Sequence, residues 1–396
     1  MYNTGEVFSV TNKPWGCMVG VRPAKQLHAL LDKGFGYKAA FEYMQSKHGI
    51  SKEKYDLLWR VAEVERPILA ESSRPGLFSV YVGIPFCPTR CLYCSFPSHS
   101  LKELGKLRGQ FVDTLLWEIE ETAKMAAKYK MNPYTVYVGG GTPTALSPTD
   151  LRRVLSALRE AFPGALREFT VESGRADTLT DEHLAVLSHH QVSRVSVNPQ
   201  TMHGKTLELI GRCHSVEDVD RAARKVKQAK IPVLNMDLIV GLPGEDAMMV
   251  RESVEQIMDL APENITLHVF SPKRASRFSA DRQLFTLPAD AEVAAIHHMA
   301  TEMLEKKYKP YYLYRQRDIL GGQENIGFCL PGYECVYNIV MIEERHHIFG
   351  LGGGATSKII RSDGTFINLS NPKDVRIYIE RVKDMVSRRQ AELLGD

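Results

Sequence analysis

The order of apolar runs and amphipathic stretches predicts an α/β protein: a partial (β/α)6 TIM-like barrel with a helical N-terminal segment and an α+β C-terminal domain. Three observations carry that expectation. Six short apolar or alternating runs follow one another from about Phe78; helical patterns with clear start signals separate them; and the loops after the early runs are rich in cysteine or glycine. Right-handed crossovers then bring every strand's C-terminal end to one face, where barrel enzymes keep their chemistry.

Residues 1 to about 77 show helical patterns around Ala24–Lys33 and Lys52–Glu65 and no catalytic signature, and Arg74-Pro75-Gly76 reads as a joint. The predicted strands are Ser79–Ile84, Thr135–Val138, Glu168–Glu172, Arg194–Val197, Val233–Val240 and Ile265–Phe270. Between them, Ser147-Pro148-Thr149-Asp150 offers a helix cap, a first-turn proline and an acid at the third position, and Ser215-Val216-Glu217-Asp218 offers a second cap. After Phe270 the rhythm breaks. A helix over Ala289–Lys307 leads to an aromatic and glycine-rich stretch, Tyr311–Ser357, and to a last helix near Pro372–Arg389. The expected division is 1–77, 78–270 and 271–396, with the tail closing the open side of the barrel. No repeat beyond the strand-helix alternation and no low-complexity segment is present.

Composition excludes several classes. With 44% hydrophobic and 24% charged residues, the 396-residue chain reads as an ordinary globular protein with room for one large domain and smaller additions. No apolar run is long enough to span a membrane, and no basic segment with an apolar signal core opens the chain, which places it in the cytoplasm. A net charge of +3 does not imply nucleic acid, so an anionic ligand must be met by local Arg and Lys. Seven cysteines, an odd number, show no secreted disulfide pattern. Cys17, Cys213, Cys329 and Cys335 are expected to be reduced and structural.

The other three cysteines form the chain's most informative run, Cys87-Pro-Thr-Arg-Cys91-Leu-Tyr-Cys94. Thiolates at C-x3-C-x2-C spacing can hold three irons of a [4Fe–4S] cluster from one loop and leave the fourth iron without a protein ligand. An open iron can chelate a small molecule and take part in chemistry. The plainer alternatives are zinc or core cysteines. A structural zinc site wants four ligands, commonly from paired halves, and no second C-x2-C or H-x3-H pair exists here.

Further candidates stand at predicted strand ends. Gly139-Gly140-Gly141-Thr142-Pro143-Thr144 follows the second strand, where glycines let backbone approach a ligand, although a glycine run by itself can be a tight turn. Glu172 ends the third strand; alone it would read as an exposed acid. Asp237 sits inside the apolar fifth strand, where an unpaired carboxylate is costly, so it should meet a cation or a hydroxyl. Gln200 closes Ser196-Val197-Asn198-Pro199-Gln200. Arg212, in Ile210-Gly211-Arg212, would by itself suggest a surface salt bridge, and Tyr81 and Tyr93 would suggest packing residues.

Together these motifs resemble the radical S-adenosylmethionine (SAM) superfamily, in which the amino and carboxylate groups of SAM chelate the open iron. Within it the chain is similar to the oxygen-independent coproporphyrinogen III oxidase/dehydrogenase family. There GGGTPT binds the methionine part of SAM, a glutamate at the position of Glu172 binds its ribose, and residues matching Tyr81, Tyr93, Gly140, Gly141, Thr142, Gln200, Arg212 and Asp237 contact SAM. The tail carries the resemblance on, in Pro331-Gly332-Tyr333-Glu334-Cys335-Val336-Tyr337-Asn338 and Gly350-Leu351-Gly352-Gly353-Gly354-Ala355-Thr356-Ser357. Lys273-Arg274-Ala275-Ser276-Arg277, Tyr314-Arg315-Gln316-Arg317 and Gly83 point to the HemZ-type branch. Gly83 stands where the family's Y-x-H-I-P-F-C pattern has histidine, and Phe96 stands where its best-known branch has a fourth cysteine. The resemblance runs from about residue 14 onward. Members of the branch generally carry further N-terminal sequence, so it implies a shortened version.

The resemblance implies a [4Fe–4S] cluster and SAM as cofactors, an electron donor such as flavodoxin or ferredoxin, and a tetrapyrrole substrate. The reaction implied is oxidative decarboxylation of coproporphyrinogen III propionates to the vinyl groups of protoporphyrinogen IX. A tetra-anionic macrocycle needs basic partners, for which Lys273, Arg274, Arg277, Arg315 and Arg317 are candidates, with a solvated basic surface as the plainer reading. The alternatives are a haem-binding chaperone that keeps cluster and SAM, a radical SAM enzyme acting on another tetrapyrrole or an unrelated substrate, and a zinc-binding module.

Overall fold

The computed structural model describes residues 14–18, 22–94, 96, 98–272, 278, 285–361 and 363–394. β1 (Leu77–Ile84) leads into a short β2 (Phe86–Cys87), which pairs in parallel with β3 (His99–Ser100). Then come β4 (Asn132–Gly140), β5 (Glu168–Glu172), β6 (Arg194–Ser196), β7 (Val233–Val240) and β8 (Asn264–Val269). Strands β1, β4, β5, β6, β7 and β8 run side by side and parallel, the six units expected of a partial barrel.

Strands covered on both faces must be apolar along most of their length. Val80, Val82, Ile84, Val136 and Val138 are fully buried, while Tyr81 and Tyr137, on the alternate face, stack on each other. The intervening helices cover the sheet through apolar stripes at i, i+3, i+4, i+7: Leu151, Val154, Leu155 and Leu158 in one, Val219, Ala222, Ala223 and Val226 in another. Each buried Leu or Val contributes roughly 1.5–3 kcal/mol. Ser147 and Ser215 cap these two helices through their side chains, as expected.

The tail, expected to close the open side of the barrel, adds strands to the sheet. Its strands are β9 (Lys309–Tyr314), β10 (Asn325–Cys329), β11 (His347–Gly352), β12 (Thr356–Ile360) and β13 (Phe366–Ser370). They extend one sheet from both edges, in the order β13-β12-β11-β1-β4-β5-β6-β7-β8-β10-β9. β11 is parallel to β1, so a strand from the end of the chain continues the barrel wall beside the first. Periodicity could not show this, because pairing between distant runs leaves no local signature.

Two buried carboxylates fasten the tail. Glu118, on the helix Arg108–Lys128, accepts hydrogen bonds from Gly352 N (2.7 Å), Asn371 (2.9 Å), Tyr378 (2.7 Å) and Arg389 (2.6 Å). Glu168 accepts from the backbone amides of Val336 (2.9 Å) and Tyr337 (3.3 Å), opening the helix Val336–Glu343 with the negative charge its N-terminus favours.

The N-terminal segment holds three helices, Pro23–Leu31, Tyr37–His48 and Lys52–Ser72. The middle one was not expected, since it buries only Ala40 and Met44 and so shows little apolar periodicity. No helix among the described residues is long and apolar enough to cross a membrane.

Candidate functional site

Cys87 ends β2 and is held in place by its neighbours' backbone. Thr142 N donates to Phe86 O (2.8 Å) and Gly141 N to Ile84 O (2.7 Å), so the loop after β4 is hydrogen-bonded to the chain around Cys87. On the other side, Leu92 N donates to Ile210 O (3.0 Å) and the Thr89 hydroxyl to Gly211 O (3.2 Å). Buried Arg175 also donates to the Thr89 hydroxyl (2.8 Å) while paired with Asp177 (3.0 Å). Cys91 is buried; Cys87 and Cys94 are half-buried.

Burial raises the Cys87 thiol and pushes Cys94 up to about 11, and the neighbouring thiols add to the effect at both. Without metal these groups hold their protons at neutral pH. Three thiols close enough to influence one another, on a loop hydrogen-bonded from two sides, form a donor set that suits three irons of a cubane and leaves the fourth iron open.

The three glycines that end and follow β4 answer a close approach. A Cβ on Gly141 would stand 3.0 Å from Cys87 Sγ and 2.6 Å from Phe86 O; one on Gly139 would stand 2.9 Å from Glu172 Oε2. Gly140 has φ +106°, a conformation that L side chains rarely adopt. This strand end therefore lies between the Cys87 sulfur and the Glu172 carboxylate, with no side chain of its own in the gap.

Glu172 is not the exposed acid that its position alone suggests. Burial pushes its carboxyl up to about 7, the hydrogen bond donated by Tyr137 pulls it down, and the charge on Asp237 raises it again. For Asp237 burial acts in the same upward sense, but His268, Asn235 and Thr266 outweigh it and the group lies below its ordinary value. Asn235 donates to Asp237 at 2.8 Å and His268 Nε2 lies 3.6 Å away, so an amide and an imidazole stand beside it together with the Thr266 hydroxyl. The Tyr314 hydroxyl lies 3.3 Å from His268 Nδ1. Tyr81, Tyr137 and Tyr337 stack as a near-parallel trio with centroids 4.5–6.1 Å apart.

Gln200 sits at φ +73° in the loop after β6, its N–H bonded to Asp237 O (2.9 Å). Arg212 is buried and makes no salt bridge among the described residues: it donates to the Tyr93 hydroxyl (3.0 Å), to Gly174 O (3.1 Å) and to Asn198 O. Ser196 Oγ, Asn198 Oδ1, Gln200 Oε1 and Arg212 Nε are buried with no hydrogen-bond partner among the described residues. An unpaired buried polar atom costs about 1–3 kcal/mol. Four such atoms, one of them on the Arg212 side chain that holds Tyr93 of the thiol loop, suit a polar ligand with amino-acid and nucleoside parts, such as SAM.

Gly140, Gly141, Thr142, Glu172, Gln200 and Arg212 thus lie at or beyond strand C-terminal ends and Tyr93 lies in the thiol loop, while Tyr81 and Asp237 sit within β1 and β7. Arg315, a candidate for substrate carboxylates, is engaged elsewhere: it donates to Met18 O (3.0 Å) and Gly322 O (3.3 Å) and lies over the Trp15 ring. Lys273, Arg274 and Arg277 lie outside the described residues, and Arg317 is exposed. Of the four cysteines expected to be structural, Cys329 and Cys335 are buried, whereas Cys17 and Cys213 are exposed. Sequence reasoning missed Tyr137, Arg175, His268 and Tyr337. Tyr137 had a usable signal, since it shares strand parity with Gly139 in β4, a residue already singled out; His268 had none, because its link to Asp237 arises from the pairing of β7 with β8.

The radical SAM superfamily model matches residues 81–257. The oxygen-independent coproporphyrinogen-III oxidase-like protein HemZ of Bacillus subtilis (strain 168) is 38% identical over 382 residues, 94% of this chain and 75% of that one. The heme chaperone HemW of Lactococcus lactis subsp. lactis (strain IL1403) is 32% identical over 281 residues, 70% of this chain and 69% of that one. Among solved structures, coproporphyrinogen III oxidase (HemN) from Escherichia coli, described as a radical SAM enzyme, superposes with a TM-score of 0.65 at 22% identity, covering 82% of this chain and 73% of that one.

Proposed function

We propose, from the premise that this chain belongs to the radical SAM superfamily and within it to the oxygen-independent coproporphyrinogen-III oxidase-like family, that it decarboxylates coproporphyrinogen III propionates to vinyl groups in anaerobic haem biosynthesis. The observation that carries the reading is the Gly139–Gly141 strand end, with the Cys87 sulfur against one glycine and the Glu172 carboxylate against another. Cofactor and substrate must meet at such a place.

In this reading Cys87, Cys91 and Cys94 hold the cluster, and Gly140, Gly141 and Thr142 take the methionine part of SAM. Glu172 takes the ribose, and Tyr81, Tyr93, Gln200, Arg212 and Asp237 complete the pocket. When bound, cluster and SAM supply a one-electron cleavage that yields a hydrogen-abstracting 5′-deoxyadenosyl radical. The chain's own task is to orient and to exclude water. Arg212 ties Tyr93 in the thiol loop to the ends of β5 and β6, Arg175 fixes Thr89, and the tyrosine trio walls the interior with apolar faces. Each propionate loses a hydrogen atom, an electron and carbon dioxide, so a terminal electron acceptor and a small electron-transfer protein such as flavodoxin or ferredoxin are the partners proposed, in the cytoplasm.

The test is an anaerobic assay of reconstituted protein with coproporphyrinogen III, SAM, a reductant and an acceptor. A mono-vinyl product followed by protoporphyrinogen IX is expected, with 5′-deoxyadenosine formed in proportion to vinyl groups. The similarity to a heme chaperone favours a second reading, haem binding with little substrate-dependent SAM cleavage. Full cluster loading, no vinyl product and stoichiometric haem in the same preparation would establish that reading instead.

A further inference from the structure

Away from the thiol loop, three N-terminal and tail helices meet at a buried group of ligating side chains. His28 comes from Pro23–Leu31, Glu65 from Lys52–Ser72 and Glu343 from Val336–Glu343, and all three are buried to within 1% of complete. His28 Nε2 lies 2.7 Å from Glu65 Oε2, and one donor atom from each of the three residues falls within 4.8 Å of the others.

The hydrogen bonding of this group is incomplete. Both oxygens of Glu343, Glu65 Oε1 and His28 Nδ1 have no partner among the described residues. Nearby cations are committed to other acids: Arg22, Lys25 and Lys358 to Glu344, at 2.5, 2.8 and 2.5 Å, and Arg66 and Arg345 to Asp32, at 2.9 and 2.8 Å. Glu343 is also the last residue of its helix, where the backbone dipole disfavours a negative charge and favours a positive one. Burial raises both carboxyls above their ordinary values, Glu343 to about 7, and lowers the His28 imidazole to about 4, leaving it neutral as a metal ligand must be.

We propose that His28, Glu65 and Glu343 bind one divalent transition cation of the Zn2+ or Mn2+ type, which staples the N-terminal helices to the helix that carries Tyr337. Two carboxylates, a neutral imidazole and a dication sum to zero charge, and the cation takes up the unpartnered oxygens. Mixed N and O donors suit these ions, whereas thiolate-seeking metals have nothing here to bind. Donors bonded at about 2.0–2.2 Å to one ion lie within roughly 4.4 Å of one another, so a small side-chain rotation closes the set. The site shares no residue with the cluster loop and stands independently of the porphyrin reading.

The test uses the full chain with its cluster reconstituted anaerobically. Mn2+ is titrated in and followed by loss of the free-ion electron paramagnetic resonance signal, and bound Zn2+ is counted by elemental mass spectrometry after desalting. One cation per chain beyond the cluster iron is expected. Glu343→Gln and His28→Gln should each weaken it by roughly 10-fold or more, at least the loss that removing a supporting residue causes. Cys87→Ala should leave the Mn2+ titration unchanged. Failure of the wild-type protein to bind either ion in a one-to-one ratio overturns the proposal, as does equal binding by Glu343→Gln. An infrared band of a buried protonated carboxyl that vanishes in Glu343→Gln would identify a shared proton as the occupant and overturn it too.

Discussion

The carbonyl oxygen of Gly353 lies 2.8 Å from the point at which Gly83 would carry a Cβ. The space into which a side chain at position 83 would point is filled by tail backbone, so the packing here has room for glycine and not for the histidine of the family pattern. Gly83→Ala should cost about 1–3 kcal/mol, as overpacking against immovable backbone does, and Gly83→His should cost more. Urea unfolding checks both; an unchanged midpoint for Gly83→His would mean that the Gly352–Gly354 turn yields.

Cys87→Ala, Cys91→Ala and Cys94→Ala should each remove most of the cluster iron, because each deletes a proposed ligand. Cys329→Ser and Cys335→Ser should keep it. Iron and sulfide analysis of folded protein decides, and loss in either tail variant would contradict the three-ligand assignment.

Cluster loading should also depend on pH. Burial raises the Cys87 and Cys94 thiols, Cys94 to about 11, so binding iron must release protons and becomes more favourable as pH rises. Reconstitution followed by optical absorption between pH 6.5 and about 8.5 should show a yield that increases with pH.

Glu172→Ala should leave the cluster spectrum intact while weakening SAM binding and 5′-deoxyadenosine formation. The acid has a second, separable signature. Its folded-state value of about 7 against an ordinary 4.5 means that the folded protein retains a proton the unfolded chain has lost, so SAM-free protein should lose stability as pH rises from 4.5 to 7. The loss is at most about 3 kcal/mol. Glu172→Gln should abolish it, making the variant more stable than wild type at pH 8 but not at pH 4.5, as melting curves would show.

Glu118→Ala should destabilise by roughly 3–5 kcal/mol, because it leaves the Arg389 guanidinium buried without its counter-ion. The effect should appear in chemical denaturation and be smaller when Arg389 is replaced by Met in the same chain.

The sequence spoke clearly where the physics is local. Three thiols in eight residues, a glycine triplet and capped amphipathic helices are each set by short-range chemistry, and Val233–Val240 appears in the structure with the bounds that its apolar run suggested. What it could not express is pairing at a distance. Nothing near His347–Gly352 says that it will lie beside β1, and nothing near Arg315 says that its guanidinium will be taken by Met18 O and Gly322 O. Glu172 and Arg212 read as surface charges in isolation because burial is a property of the assembled sheet.

The parallel pairing of β11 with β1 also bears on how the protein is made. Ser79 and His346 touch across 267 positions of sequence, so the ligand-bearing end of the barrel has an unpaired edge throughout most of synthesis. Contacts of such long range slow folding, and a bare strand edge invites association with other chains. Released nascent chains lacking residues beyond about 345 should therefore aggregate, and stable cluster insertion should follow completion of the chain rather than accompany emergence of its cysteines.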